Sequence, residues 1–245
     1  MKHYGLIGFP LTSSFSKRFF TEKFEKENID AVYDTYPLEN IEGIENLIKN
    51  VDLYGLNVTV PYKESVVKYL DELDDTAREI AAVNTVKFLR KNNSLLLKGY
   101  NTDVIGFENS LKNLPQAQHK KALILGTGGS SKAVAFVLKK MGIEFRFVSR
   151  SASNSNLCYE DLNEKIIKEH LFIINTTPLG MYPADAFPPI PYEHIGENHF
   201  LYDLIYNPEK TIFLSKGEAR GASIKNGMEM LIGQALAAWE IWNEL

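Results

Sequence analysis

The feature that most constrains the fold of this chain is the segment at residues 122–135, ALILGTGGSSKAVA. Its first four residues form an apolar run typical of a strand buried on both faces, and glycines follow at once. Small and hydroxyl residues then begin a stretch with an apolar stripe at helical spacing. Glycines at such a turn let the backbone bend sharply and let a pyrophosphate approach the helix N-terminus. We therefore predict a dinucleotide-binding turn with these cofactor residues: Gly126, Thr127, Gly128, Gly129 and Ser130.

The match to the dinucleotide fingerprint G-x-G-x-x-G is incomplete, because Ser131 stands where the third glycine would be. A small residue there still allows a helix and a strand to pack closely. The alternative interpretation of this segment alone is a glycine turn within an ordinary α/β domain.

Residues 144–149, EFRFVS, predict the next strand and complete a β-α-β unit. An NAD-binding domain usually has Asp or Glu at the end of this strand to hold the ribose hydroxyls, whereas this chain has Ser149, Arg150 and Ser151. A guanidinium with flanking hydroxyls suits a 2′-phosphate. We therefore predict NADP(H) as the cofactor, with these three residues at its phosphate; a solvated surface arginine is the alternative for Arg150.

Composition excludes several classes of function. The formal charge of −4 and the lack of long basic runs argue against a nucleic-acid or membrane-surface partner. The single cysteine, Cys158, excludes an intrachain disulfide, and the histidines show no metal-ligand spacing. The first ten residues do not resemble a signal peptide, and no stretch approaches membrane-spanning length. We expect a soluble cytoplasmic protein that acts on a small molecule without a metal.

The whole chain alternates between strand and helix patterns, which predicts an α/β fold. A polar linker, residues 115–121, is the clearest break in composition. The predicted strands are residues 4–8, 31–36, 56–60, 84–89, 94–98, 122–125, 144–149, 171–174 and 200–204, with a turn at Asn92 and Asn93. The predicted helices are residues 15–28, 41–48, 104–114, the stretch after Gly129, and 228–242.

Several polar residues have both a structural and a functional interpretation. Ser14 and Ser16 precede or begin a helix, where hydroxyls either cap the helix or recognise a carboxylate. Lys63 follows a strand, where ligands of open α/β sheets usually bind, although an exposed charge is the alternative. Asp103 either caps the helix after it or has a chemical role, and Gln234 is a polar residue in an apolar helix that needs partners.

Eight motifs along nearly the whole chain resemble those of the shikimate dehydrogenases. They are G-x-P-x-x-x-S-x-S at residues 8–16, NVTVPYK at 57–63, AVNT at 82–85, G-x-N-T-D at 99–103, the glycine turn, NTT at 175–177, YDLIY at 202–206 and NGMEMLIGQA at 226–235. The resemblance implies a Rossmann-type NADP-binding domain, residues 104–225, and a discontinuous α/β substrate-binding domain, residues 1–103, to which residues 226–245 return. It also implies reversible NADPH-dependent reduction of 3-dehydroshikimate to shikimate, in chorismate and aromatic amino-acid biosynthesis, by a monomer or homodimer.

The resemblance also implies roles for individual residues. Lys63 and Asp103 form the catalytic pair, and Ser14 and Ser16 bind the substrate carboxylate. Further substrate residues are Thr59, Asn84, Gln234 and Tyr206, and further cofactor residues are Thr176 and Gly227.

The chain departs from the family pattern at Ser13, where a histidine is usual, at Lys17, where a proline is usual, and at Asn226, where an aspartate is usual. The cofactor corner is commonly Asn-Arg-Thr, in place of the Ser-Arg-Ser at residues 149–151. These departures leave two rivals. One is a related enzyme for quinate or another hydroxy acid, with NAD as the cofactor in some cases. The other is a nucleotide-sensing module without turnover.

Overall fold

The computed structural model describes residues 1–11, 14–91, 94–112, 119–151, 156–183 and 186–244 of the chain. The chain divides into two compact units, Met1–Thr102 with Ala235–Leu245, and Asp103–Gln234. The first unit is discontinuous in sequence, and both units mix helices and strands, so the predicted fold class is confirmed. The finer assignment of residues 1–103 with 226–245 to substrate, and of 104–225 to the cofactor, stays a prediction.

The first unit is built on a mixed sheet with the strand order β2-β1-β3-β5-β6-β4. Strands β1, β2 and β3 are parallel, whereas β5 is antiparallel to both β3 and β6. The elements are β1 (Lys2–Gly8), α1 (Phe15–Lys26), β2 (Ala31–Pro37), α2 (Gly43–Asn50), β3 (Leu53–Val58), β4 (Glu72–Leu73), α3 (Asp75–Ile80), β5 (Thr85–Lys91) and β6 (Ser94–Tyr100).

Alternation along β1 gives this sheet two different cores. Tyr4 and Leu6 point into an aromatic cluster formed with α1, and Ile7 points to an aliphatic cluster on the opposite face. Trp242, near the C-terminus, lies over β3 because Gly55 has no side chain, and its Nε1 donates to the Val86 carbonyl at 3.0 Å. The C-terminal helix therefore completes the aromatic core of the first unit.

The second unit is built on a parallel sheet with the strand order β9-β8-β7-β10-β11-β12. Counted along the chain, the order is 3-2-1-4-5-6, which is that of the Rossmann fold. Its elements are α4 (Thr102–Ser110), β7 (Lys121–Leu125), α5 (Gly129–Lys140), β8 (Glu144–Ser149), β9 (Asn156–Cys158), α6 (Glu164–Glu169), β10 (Phe172–Asn175), β11 (Phe200–Asp203), α7 (Ile212–Glu218) and β12 (Ser223–Lys225). The last helix, α8 (Met228–Asn243), begins in this unit and belongs to the first unit from Ala235 onwards. The Rossmann prediction is confirmed.

Some predicted boundaries are wrong. Strand β3 ends at Val58 rather than at residue 60, because the chain turns at Thr59 before Pro61, which has no N–H for a sheet. Helix α4 ends at Ser110 rather than at residue 114. The predicted turn at Asn92 and Asn93 and most of the linker lie outside the described residues. Six short elements were not predicted: α3, α6, α7, β4, β9 and β12.

Candidate active site

Five of the predicted substrate and catalytic residues lie at one edge of the sheet in the first unit: Ser14, Ser16, Thr59, Lys63 and Asn84. The two serines follow β1, and the threonine and the lysine follow its parallel neighbour β3. Strand β5 runs the opposite way with Thr85 opposite Asn57, so the residue before it lies at the same edge. This is the carboxyl edge of the parallel strands, where open α/β sheets bind ligands.

Ser14 is the N-cap of α1, and its Oγ accepts a hydrogen bond from Lys17 N at 3.1 Å. Because the oxygen accepts this bond, its proton stays available for a ligand carboxylate. Ser16 follows in the first turn and is half-buried. Lys17, which replaces the usual proline, forms an ion pair with Asp34 at 3.0 Å at a half-exposed position. Ser13 lies outside the described residues.

The turn that carries Thr59 and Lys63 is fixed through its backbone. Thr59 N donates to the Ile7 carbonyl at 2.9 Å, and Tyr62 N donates to the Thr59 carbonyl at 2.9 Å. The Lys63 carbonyl accepts from Val83 N at 2.7 Å. These bonds hold the lysine backbone at the sheet edge, and its side chain is half-buried.

Neighbouring donors fix the orientation of the buried Asn84 amide, because they all point at its oxygen. Its Oδ1 accepts from Thr102 N at 2.7 Å, from Thr102 Oγ1 at 3.1 Å and from Thr85 Oγ1 at 3.0 Å. A carbonyl oxygen has two lone pairs, so these donors saturate it. Asn84 can therefore offer a ligand only an N–H donor.

Asp103 and Gln234 lie in the second unit, on helices that pack closely. A Cβ at Gly106 of α4 would overlap the Met230 carbonyl of α8, so glycine is needed at this crossing. Asp103 lies inside the first turn of α4 rather than at a capping position, and it is 5% exposed. The buried Gln234 side chain donates to the Leu231 carbonyl at 3.0 Å, which supplies one of its expected partners.

The glycine turn lies where the Rossmann strand order reverses, between β7 and β10. Gly126 has φ +109°, and a Cβ there would lie 2.7 Å from Thr176 Oγ1, so the predicted cofactor residues 126 and 176 are adjacent. Gly128 is the N-cap of α5 with no side-chain cap, and no atom lies within 4 Å of a Cβ built on it. The open space and the first N–H groups of α5, which include those of Gly129 and Ser130, fit a pyrophosphate.

Ser131, at the position of the absent third glycine, is compatible with this turn. It is 1% exposed, and its Oγ donates to the Gly128 carbonyl at 2.6 Å. The serine therefore tightens the start of α5.

The predicted phosphate corner follows β8 at the same edge of the parallel sheet. Ser149 Oγ donates to the Ser151 carbonyl at 2.6 Å, and Arg150 between them is exposed. Arg150 is also near Tyr159. Burial raises the pKa of Tyr159, and the guanidinium offsets only part of that rise. From residue 147 to residue 164 Arg150 is the only lysine or arginine in the sequence.

Asp203, at the end of β11, is a buried residue of the site that sequence reasoning did not assign. Asn175 Nδ2 and Ile205 N donate to its Oδ1 at 3.0 Å each, and Thr211 Oγ1 donates to Oδ2 at 2.6 Å. Burial raises the pKa of this carboxyl to about 6, against the opposing effect of these hydrogen bonds. The carboxyl thus joins the loop after β10, which carries Thr176, to the segment that carries the half-buried Tyr206. Its sequence signals were its place in the YDLIY motif and its position as a lone acid at the end of the apolar run FLY.

Among the described residues, no group of three or more histidine, cysteine, aspartate or glutamate side chains is arranged to hold a metal ion. In the same part of the chain, no helix combines the length and apolar character needed to cross a membrane.

Known proteins similar to this chain agree with its motifs and geometry. A family model of the shikimate dehydrogenase substrate binding domain matches residues 6–86. Over 259 residues the chain is 38% identical to the NADP(+) shikimate dehydrogenase of Caldanaerobacter subterraneus subsp. tengcongensis, which covers 98% of this chain and 91% of the relative. This chain belongs to the shikimate dehydrogenase family.

Solved structures of shikimate dehydrogenases have the same fold. Shikimate dehydrogenase 1 from Peptoclostridium difficile is 39% identical, with a TM-score of 0.84 over 99% of this chain and 91% of that one. Shikimate 5-dehydrogenase from Thermus thermophilus, crystallised with NADP(H) and shikimate, is 29% identical, with a TM-score of 0.86 over 100% of this chain and 94% of that one.

The structure explains how this shikimate dehydrogenase family member accommodates Asn226 in place of the usual aspartate. Asn226 Oδ1 accepts from Met228 N at 3.1 Å, as a carboxylate would, and its Nδ2 donates to the Glu209 carbonyl at 2.9 Å, as a carboxylate cannot. The adjacent predicted cofactor residue, Gly227, has no room for a Cβ because it lies against the Leu204 carbonyl. The replacement therefore preserves the start of α8.

Proposed function

We propose that this protein reversibly reduces 3-dehydroshikimate to shikimate with NADPH, a step in chorismate and aromatic amino-acid biosynthesis. The observation that carries the proposal is the sheet edge of the first unit, where one lysine stands among neutral hydroxyl and amide side chains. Such a set suits a small acid with several hydroxyls, and it disfavours an analogue that lacks one of them, because a buried polar group would then lose its partner.

NADP(H), when bound, supplies the hydride that is exchanged with the substrate carbon. In this proposal the glycine turn holds the pyrophosphate through backbone N–H groups, and Arg150, with the hydroxyls of Ser149 and Ser151, holds the 2′-phosphate. Thr176 and Gly227 line the remainder of the cofactor site. The open N-terminus of α5 supports this assignment.

Lys63 supplies the proton in the proposed reaction. Reduction of a ketone produces an alkoxide, and an ammonium group positioned at that oxygen donates the proton it needs. In the direction of shikimate oxidation the lysine takes the proton from the hydroxyl. Asp103 orients and electrostatically supports the lysine as the second member of the pair.

The remaining residues bind the substrate without taking part in proton transfer. Ser14 and Ser16 donate hydrogen bonds to the substrate carboxylate. The substrate hydroxyls are contacted by Thr59, Asn84 and Gln234, and Tyr206 lies close to the substrate. For Asn84, the saturated oxygen supports donation to a hydroxyl oxygen.

We further propose the functional division already predicted, with residues 1–103 and 226–245 for substrate and residues 104–225 for cofactor. A cytoplasmic location and a monomeric or homodimeric state belong to the same proposal.

The first test is an absorbance assay of nicotinamide reduction with purified protein, in which shikimate or quinate is combined with NADP⁺ or NAD⁺. We expect fastest turnover with shikimate and NADP⁺. Preference for quinate or NAD⁺ would favour the related hydroxy-acid enzyme. If no pair is turned over while NADP⁺ still binds in calorimetry, the nucleotide-sensing module becomes the better explanation.

Replacing Arg150 with alanine tests the cofactor assignment. Hydrogen bonds to charged groups contribute about 1.5–3 kcal/mol, so KM for NADP⁺ should rise about 10- to 100-fold. KM for NAD⁺ should change by less than about threefold, since NAD⁺ has no 2′-phosphate. Arg146→Ala, at an exposed position on the same strand, is the matched control. Equal losses for both cofactors in Arg150→Ala would contradict the phosphate assignment.

A further inference from the structure

A buried tyrosine lies behind the candidate substrate residues of the first unit and is hydrogen-bonded to them. Tyr33, on β2, is 3% exposed, and its ring stacks on Phe20 with centroids 4.7 Å apart. Its hydroxyl lies 2.8 Å from Asn57 Oδ1 and also hydrogen-bonds the Ser16 side chain. Tyr33 therefore connects the first turn of α1 with the end of β3.

The direction of the Tyr33 hydrogen bond follows from its neighbours. Asn57 Nδ2 lies 3.2 Å from the Asn84 carbonyl oxygen, which can only accept, and 3.2 Å from Thr85 Oγ1. This fixes the orientation of the Asn57 amide, so its oxygen faces Tyr33 and the phenol must donate. Burial raises the pKa of Tyr33, which keeps this donor protonated.

The same polarity continues to Asn84. Thr85 Oγ1 accepts from Asn57 Nδ2, so its own proton serves Asn84 Oδ1, 3.0 Å away, or Thr102 Oγ1, 3.1 Å away, which in turn donates to Asn84 Oδ1. The hydrogen bonds therefore run in one direction, from Tyr33 through Asn57 and Thr85 to the saturated oxygen of Asn84. As a result the Asn84 amide presents N–H to a ligand and not its carbonyl.

The Ser16 side chain interacts with the same phenol of Tyr33. Because the Tyr33 proton goes to Asn57, the phenol oxygen can only accept from the Ser16 hydroxyl. A bound carboxylate is the stronger acceptor and can then take that proton with little movement of the serine oxygen.

We propose that Tyr33 is a positioning residue for substrate recognition, which orders Ser16 and, through the Asn57 amide that donates to the Asn84 carbonyl, holds Asn84 in place to donate to a substrate hydroxyl. This inference rests on the proposed function, because it assigns the ligand of the same residues. It names a residue that no motif of the sequence singled out.

The chain offers a matched control for the phenol. Tyr4 lies in the same aromatic cluster and is fully buried, and within the described residues its hydroxyl has no hydrogen-bond partner. Tyr4→Phe and Tyr33→Phe therefore remove the same atom from the same core, but only the second removes a donor from the substrate residues. A neutral hydrogen bond contributes about 1 kcal/mol, which corresponds to about a fivefold change in affinity.

The test is calorimetric titration with shikimate and, separately, with NADP⁺. For Tyr33→Phe we expect the Kd for shikimate to rise about 5- to 20-fold, with KM rising in parallel and kcat and the Kd for NADP⁺ nearly unchanged. Tyr4→Phe should bind both ligands as the wild type does. Asn57→Leu removes both the acceptor of the phenol and the donor to the Asn84 carbonyl, so it should reproduce the loss, which keeps the test valid if Tyr33→Phe does not fold.

Two results would overturn the proposal. If Tyr33→Phe and Asn57→Leu lose thermal stability but bind shikimate as tightly as Tyr4→Phe, the hydrogen-bond chain has only a structural role. If the wild type itself does not bind shikimate, the proposed function fails and this inference fails with it. The wild-type titration thus separates the two failures.

Discussion

Lys63→Met is expected to lower kcat for shikimate oxidation by about 10²- to 10⁴-fold, the usual contribution of a general acid–base residue. Methionine keeps most of the aliphatic stem of lysine but cannot accept or donate the proton. The backbone of residue 63 is held by the bond from Val83 N, so the fold should tolerate the change. Turnover measured at saturating shikimate and NADP⁺ isolates this effect on kcat.

The control for Lys63→Met is Lys68→Met in the same unit. Lys68 is exposed and lies 3.7 Å from Glu42, so its loss should leave kcat within about twofold of wild type, as for most surface changes. NADP⁺ affinity should be preserved in both variants. Near-normal turnover by Lys63→Met would remove the lysine from the mechanism, whereas equal loss in both variants would indicate a general effect of charge.

The second unit was predictable from sequence because its main signal is local. An apolar strand, a glycine turn and an amphipathic helix follow one another within residues 122–140, and each is diagnostic at short range. The right-handed β-α-β rule then sets the hand of the crossover from β7 to β8. The short strands β4, β9 and β12 have two or three residues each, too few for any period to be recognised.

The individual candidate site residues came from motif resemblance, but the interactions that order them were not predicted. Tyr33 and Asn57 are 24 residues apart, and Asn175 and Asp203 are 28 apart. Each pair meets only because neighbouring strands are in a particular register, which one sequence does not reveal. A buried polar residue in an apolar run, such as Asn57 in LYGLNV, is the signal that could have identified such partners.

Replacing Asp203 with alanine is expected to lower the free energy of unfolding by about 3–5 kcal/mol, the scale observed when one partner of a buried charged network is removed. The change leaves three donors, from Asn175, Ile205 and Thr211, without their acceptor. Asp203→Asn should cost less, because its oxygen can accept from two of these donors and its N–H can donate to the threonine hydroxyl. Denaturant unfolding followed by circular dichroism at one pH ranks the two variants.

The pH dependence of Asp203→Asn provides a sharper test, because the carboxyl has a pKa raised by burial from 3.8 to about 6. A raised folded-state pKa means that the folded chain binds the proton more tightly than the unfolded chain. The stabilisation from that proton is complete below pH 3.8 and is lost as the pH rises through 6. Asparagine does not titrate, so the stability of the variant relative to wild type should increase by about 2 kcal/mol from pH 4 to pH 7.

Asp161→Asn is the control of opposite sign in the same unit. Hydrogen bonds from Cys158 hold the pKa of Asp161 below its usual range, so its contribution to stability is present above that range and is lost as the pH falls. The variant should therefore become less stable relative to wild type as the pH rises, whereas Asp203→Asn becomes more stable. A difference between Asp203→Asn and wild type that did not change with pH would show that folding does not raise the pKa of this carboxyl, and would contradict the effect assigned to its burial.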